Sequence, residues 1–252
     1  MASILEFLNS FGISDLSEDE KENGVEEMLS QIDFSAIKGT VAEELLLNEA
    51  MKTRGEFKFS ADGKKLERYK GEDIIVSIPK GITEIGKFAF SDCSKMVAVD
   101  IPYGVDSIGE DAFLRCKNLL SIELPNSVQI IEHEAFNGCS KATIIDLPDS
   151  LKVIRSCAFN FCESLEKIYI PSSVEIFEDT FYHTPSLQEI HVSWRNLNNI
   201  NIHAFDRINS REGGLYGHGV EFKECVLYVP HGMMHAYRHH PAFREFATII
   251  PE

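Results

Sequence analysis

Residues Ile101 to Glu123 read IPYGVDSIGEDAFLRCKNLLSIE, and the chain carries four further versions of this stretch. Shifted by 23 positions it returns as IPKGITEIGKFAFSDCSKMVAVD from Ile78, LPNSVQIIEHEAFNGCSKATIID from Leu124 and LPDSLKVIRSCAFNFCESLEKIY from Leu147. A fifth copy from Ile170, IPSSVEIFEDTFYHTPSLQEIH, is one residue shorter. A fixed period of this length marks a solenoid, in which each unit buries its apolar face only by stacking on its neighbours. The repeats define an architecture and do not name a ligand.

The five copies serve as an internal alignment. Each opens with Ile-Pro or Leu-Pro, and Pro102, Pro125 and Pro148 end a strand because proline has no N–H for a ladder. Apolar residues follow at Ile82, Val105, Val128, Leu151 and Val174, then at Ile85, Ile108, Ile131, Ile154 and Phe177. Ala-Phe pairs come next, at 89–90, 112–113, 135–136 and 158–159, with Phe181 alone in the fifth copy. A small residue beside a large one, kept in register, lets stacked layers interdigitate. The copies close with MVAVDI, LLSIEL, ATIIDL, LEKIYI and LQEIHV, whose alternation predicts strands with one face inward. Stacked, these strands form a parallel sheet with a spacing of about 4.8 Å.

The full pattern, Ile-Pro-x-x-Val-x-x-Ile-x-x-x-Ala-Phe-x-x-Cys-x-x-Leu-x-x-Ile, resembles the BspA-like leucine-rich repeat family of bacterial proteins over residues 57–205. The resemblance implies an α/β solenoid: a leucine-rich repeat right-handed superhelix with a parallel concave sheet. It also implies that the concave sheet is the recognition surface, and it suggests adhesion to host or extracellular-matrix proteins. The segment Phe57 to Ser77 reads as a degenerate entry coil, with a hairpin-type turn at Ala61-Asp62-Gly63. The stretch CVLYVPHGMMHAYRHHPAFREFATIIPE resembles the family's closing segment, with Leu227, Val229, Tyr237, Phe243, Phe246 and Ile249 sealing the last coil.

Three regions result. Residues 1–56 form an acidic N-terminal segment, 57–205 the solenoid, and 206–252 a C-terminal loop and cap. The first is read as helical, because Ser17 with Glu20 and Thr40 with Glu43 are each a capping box. Its first 50 residues hold 12 acidic and 2 basic side chains, most of the net charge of −16. That charge argues against nucleic acid and anionic membrane surfaces as partners and permits a basic protein or a cation. No apolar run of about 18 residues exists to span a membrane. The start carries no signal-peptide pattern, which places the chain in the cytoplasm as written; a secreted or cell-surface location is the alternative if a leader has been removed.

Cys93, Cys116, Cys139 and Cys162 recur once per coil and are expected to be buried, reduced thiols in one column. Their side chains lie in a line, which does not make a tetrahedral metal site. Cys157 and Cys225 stand outside the repeat with no partner legible from spacing. His231, His235 and His239, with His240 beside them, share a helical face but read as surface histidines of the cap. No nucleophile motif, phosphate-binding loop, metal set or cofactor motif is present, so the chain reads as a non-enzyme.

The candidate site is the outward face of the concave strands. One row holds Ser77, Asp100, Glu123, Asp146, Tyr169 and His191; the next holds Ile75, Ala98, Ser121, Ile144, Lys167 and Glu189. Asp100, Glu123 and Asp146 stack about 5 Å apart, where like charges repel by about 0.8 kcal/mol in water. A basic group or a cation placed there would relieve that repulsion. The leading expectation is a non-catalytic scaffold that binds a protein or peptide through Asp100, Glu123, Asp146, Tyr169, His191, Ser121, Lys167 and Glu189. The alternative is an intracellular structural or regulatory module that assembles, as a homodimer, through residues 1–56.

Overall fold

The structure, a computed structural model, describes residues 55–198, 200–205, 225–243 and 246–252. The expected helices at Ser17 and Thr40, and the loop centred on Gly213 to Gly219, lie outside them. The chain is a parallel-sheet solenoid. Longer strands β3 (Ile75–Ser77), β5 (Ala98–Asp100), β7 (Ser121–Glu123), β9 (Ile144–Asp146), β11 (Lys167–Ile170) and β13 (Glu189–Val192) fall where the alternating patterns place them. β14 (Val226–Val229) and β15 (Thr248–Pro251) continue beyond them.

Shorter strands build a second sheet: β4 (Glu84–Ile85), β6 (Ser107–Ile108), β8 (Ile130–Ile131), β10 (Val153–Ile154) and β12 (Glu175–Ile176). At its start, β1 (Glu56–Phe59) and β2 (Lys65–Lys70) form an antiparallel hairpin, and β2 pairs with β4 in parallel. The turn falls at Ala61 to Gly63, where Gly63 has φ 70° and donates to Ser60 O at 2.9 Å. In the short fifth copy the missing residue moves the core position. Ile176, rather than Phe177, pairs with Ile154 and is buried, while Phe177 carries the Arg155 guanidinium over its ring at 5.1 Å.

The α/β expectation for the repeats is corrected. Among the described residues, one α-helix occurs, Met234–His239, and it lies outside the repeats. The hydrogen bonds show why no helix forms around Ala-Phe. Ala89, Ser91 and Cys93 send their N–H groups back to Gly86, Phe88 and Phe90. The intervening Phe88, Phe90 and Asp92 donate instead to Glu110, Ala112 and Leu114 of the next coil, at 3.0, 2.7 and 2.8 Å. Half of the donors that a helix needs are thus committed to the neighbouring layer. Backbone in the left-handed region makes this possible at two columns, Phe88/Asp111/Glu134/Cys157/Asp179 and Asp92/Arg115/Gly138/Phe161/His183.

The core lies between the two sheets as a continuous stack. Phe90, Phe113, Phe136, Phe159 and Phe181 are fully buried and stacked, with ring centroids 4.9, 5.0, 5.7 and 5.8 Å apart. Phe57 and Tyr69 extend the column at one end; Phe205 and Phe243 extend it at the other. Leu227, Val229, Tyr237, Phe243, Phe246 and Ile249 are buried in the same cluster, and the Tyr237 hydroxyl donates to Trp194 O at 2.7 Å.

All six cysteines are free thiols. The Cys116, Cys139 and Cys162 thiols point at the carbonyls of Phe90, Phe113 and Phe136, one coil back, at 3.2, 3.5 and 3.6 Å. Cys93, in the first of these coils, is only partly buried.

Candidate functional site

Alternation along each longer strand puts every second side chain outward, and parallel pairing sets these side chains in rows. Ser77 pairs with Asp100, Glu123 with Asp146, and Tyr169 with His191. Their neighbours Ile75/Ala98, Ser121/Ile144 and Lys167/Glu189 pair in the same way. The expected single sheet is divided into three hydrogen-bonded pieces: β3–β5, β7–β9 and β11–β13–β14–β15. Between β5 and β7 the Leu120 N–H still donates to Val97 O at 3.0 Å, just ahead of the strands.

The rows change character along the solenoid. In the first coils Asp100, Glu123 and Asp146 are exposed, and the Ser77 hydroxyl donates to Asp100 at 3.0 Å. Ser121 is partly exposed beside the half-buried Ile144. The last coils carry an aromatic ladder. Tyr169, 57% exposed, stacks on His191 with centroids 4.2 Å apart, and His191 stacks on Tyr228 at 4.2 Å and 2°. His191 thus keeps its place in the row but is buried, because rings cover both its faces.

Carboxylates hold the edges of that imidazole. Nδ1 lies 2.9 Å from the Glu252 carboxylate and Nε2 3.4 Å from Glu189. Glu189 also pairs with the Lys167 ammonium, which lies 5.9 Å over the Tyr169 ring. The Lys167 hydrogen bond holds the Glu189 carboxyl below its ordinary range, with His191 adding to the effect. The same bond raises Lys167. This arrangement has no activated nucleophile. It offers a flat aromatic and acidic surface suited to cationic or planar groups.

Tyr228 and Glu252 were not among the expected site residues. They arrive because β14 pairs with β13 and β15 with β14. The signal is present in the sequence: Val226-Leu227-Tyr228-Val229-Pro230 repeats the pattern of Lys167-Ile168-Tyr169-Ile170-Pro171. The irregular spacing between them conceals it.

Stacked coils with a strand row on one side and an interior phenylalanine column define a leucine-rich repeat protein. The chain belongs to the family described as the BspA type leucine rich repeat region (6 copies), which matches residues 24–115 and 83–212. The match begins at residue 24, inside the stretch 1–56 that the sequence reading sets ahead of the solenoid as an acidic helical segment. Among solved structures, the chain is similar to a leucine rich repeat protein of T. pallidum, at 32% identity and TM-score 0.51, over 54% of this chain and 68% of that one. A leucine-rich repeat protein of Bacteroides capillosus is 23% identical, with TM-score 0.36 over 55% of this chain and 93% of that one. The pneumococcal vaccine antigen PcpA is 19% identical, with TM-score 0.46 over 77% and 45%. No curated protein matches the chain. No helix among the described residues is long and apolar enough to cross a membrane.

Proposed function

We propose that the protein is a non-catalytic scaffold that binds a basic protein or peptide along its concave sheet. One observation carries this: the outward row runs from exposed carboxylates at Asp100, Glu123 and Asp146 into the Tyr169–His191–Tyr228 ladder. Like charges on neighbouring strands oppose each other. A lysine or arginine laid across them relieves that opposition, and an arginine plane can stack on the exposed Tyr169.

The test is selection of binders from a random peptide display library on the intact chain. Lysine- and arginine-rich peptides are expected, with affinity falling as salt rises, because exposed charges are screened over about 8–10 Å. Replacing Glu123→Gln together with Asp146→Asn should weaken binding at least severalfold. Lys117→Gln, outside the strand row, should leave it unchanged. Peptides that bind the double variant as well as the parent would overturn the proposal.

A further inference from the structure

We propose that His133, Glu134 and Cys157, away from the strand rows, form a binding site for a divalent transition-metal ion, zinc by its donor chemistry. An imidazole nitrogen, a carboxylate oxygen and a thiol sulfur from these residues all lie within 4.8 Å of one another. Zinc bonds to sulfur at about 2.3 Å and to nitrogen or oxygen at about 2.0–2.2 Å, so donors around one ion stand roughly 3.3–3.8 Å apart. His133 Nε2 and Glu134 Oε1 are already 3.2 Å apart. Small side-chain rotations of Cys157 and His133 bring the third donor in. Thiolate with imidazole selects zinc or a similar borderline ion over magnesium or calcium, which take oxygen.

Hydrogen bonds anchor two of the three ligand residues, Glu134 through its side chain and Cys157 through its backbone. Asn137 Nδ2 donates to Glu134 Oε2 at 3.0 Å, which leaves Oε1 on the side of His133. Asn160, 5% exposed, accepts the Tyr182 backbone N–H through Oδ1 at 3.0 Å. Its backbone N–H donates to the Cys157 carbonyl at 3.2 Å. The same offset of three residues, Glu134–Asn137 and Cys157–Asn160, recurs in consecutive coils. A side-chain partner such as Asn137 fixes ligand orientation in metal sites.

The local charge fits a cation. Cys157 stands between Glu134 and Asp179 in one column of left-handed residues, with Asp111 a coil before Glu134. Carboxylates that oppose a thiolate attract a dication, and the bound ion in turn stabilises the thiolate. Binding therefore forms an S–metal bond as the S–H proton passes to solvent. Packing does not account for this thiol. Cys116, Cys139 and Cys162 fill the core, whereas Cys157 stands half-buried in a column otherwise occupied by Phe88, Asp111, Glu134 and Asp179.

The test is titration of the full, reduced chain with Co²⁺, read by absorbance. A thiolate-to-cobalt charge-transfer band should rise, saturate at one equivalent and be displaced by Zn²⁺. Cys157→Ser should abolish the band, and His133→Gln, a change at an exposed residue, should weaken Co²⁺ affinity about tenfold or more. Replacing both His235→Gln and His239→Gln should leave the band in place, since that pair supplies no thiolate. Absence of the band in the folded parent chain, or its persistence in Cys157→Ser, overturns the site.

Discussion

Single residues show how each coil reconciles tight stacking with an L-amino-acid backbone. Among the described residues, nine non-glycine residues hold positive φ, a conformation that disfavours a Cβ by roughly 1–2 kcal/mol each. Each coil tolerates this because the alternative is an unpaired buried N–H. Gly109 illustrates the tightness. A Cβ there would meet Ile85 O at 2.7 Å and Gly86 C at 2.8 Å, both backbone atoms of the previous coil. None of the left-handed columns was legible beforehand, since they hold Phe, Asp, Glu, Cys, Arg and His, with a single glycine at Gly138.

The thiol column lends itself to a residue-scale test. Burial raises Cys162 from the ordinary 9.0 to about 12. A raised folded-state value means that the unfolded thiol ionises first. Stability is therefore fully present below about pH 9 and is lost as pH rises toward 12, by about 1.4 kcal/mol per pH unit from this group. Cys162→Ser keeps a donor for Phe136 O and removes the titration. Urea unfolding at pH 8 and pH 11 should show a smaller loss in the variant than in the parent. Equal losses would mean that this thiol is not buried as described.

Among the elements, the phenylalanine column is the continuous one. The strand face is divided into three pieces, while the ring stack runs unbroken from Phe57 to Phe205. The Ala-Phe repeat made this column readable from sequence, because period and residue size suffice to place it. The second sheet was less legible. Strands of two residues give no alternation, and only the recurring Ile85, Ile108, Ile131 and Ile154 marked their place. Phe136 is central to the stack. Phe136→Ala should cost about 3–5 kcal/mol. Because each coil touches only its neighbours, the loss should also uncouple the two halves. Chemical denaturation should then show a broadened or two-step transition with a smaller apparent m-value. A sharp single transition shifted by less than about 1 kcal/mol would contradict a mechanical role for the column.

Across the whole molecule, the 23-residue period alone set the outward row, because parallel stacking carries each position onto its equivalent. Where the period held, at Asp100, Glu123 and Asp146, sequence placed the side chains on the exposed face. Where it failed, sequence missed what surrounds them. His191 is enclosed by Tyr228 and Glu252, which enter through strands separated from it by an irregular stretch. The resulting face has two parts: exposed carboxylates in the first coils, and aromatic rings braced by Lys167, Glu189 and Glu252 in the last.

The proposed recognition along the outward strand face is tested most directly by photo-crosslinking with mass-spectrometric mapping. A selected basic peptide carrying a photoreactive residue at its centre is bound to the intact chain and irradiated. Crosslinks are expected on the exposed faces of β5, β7, β9 and β11, at Asp100, Ser121, Glu123, Asp146, Lys167 and Tyr169, and to fade with added salt. Crosslinks concentrated instead on the turn columns around Arg115 and Phe161, or within residues 1–54, would contradict the account.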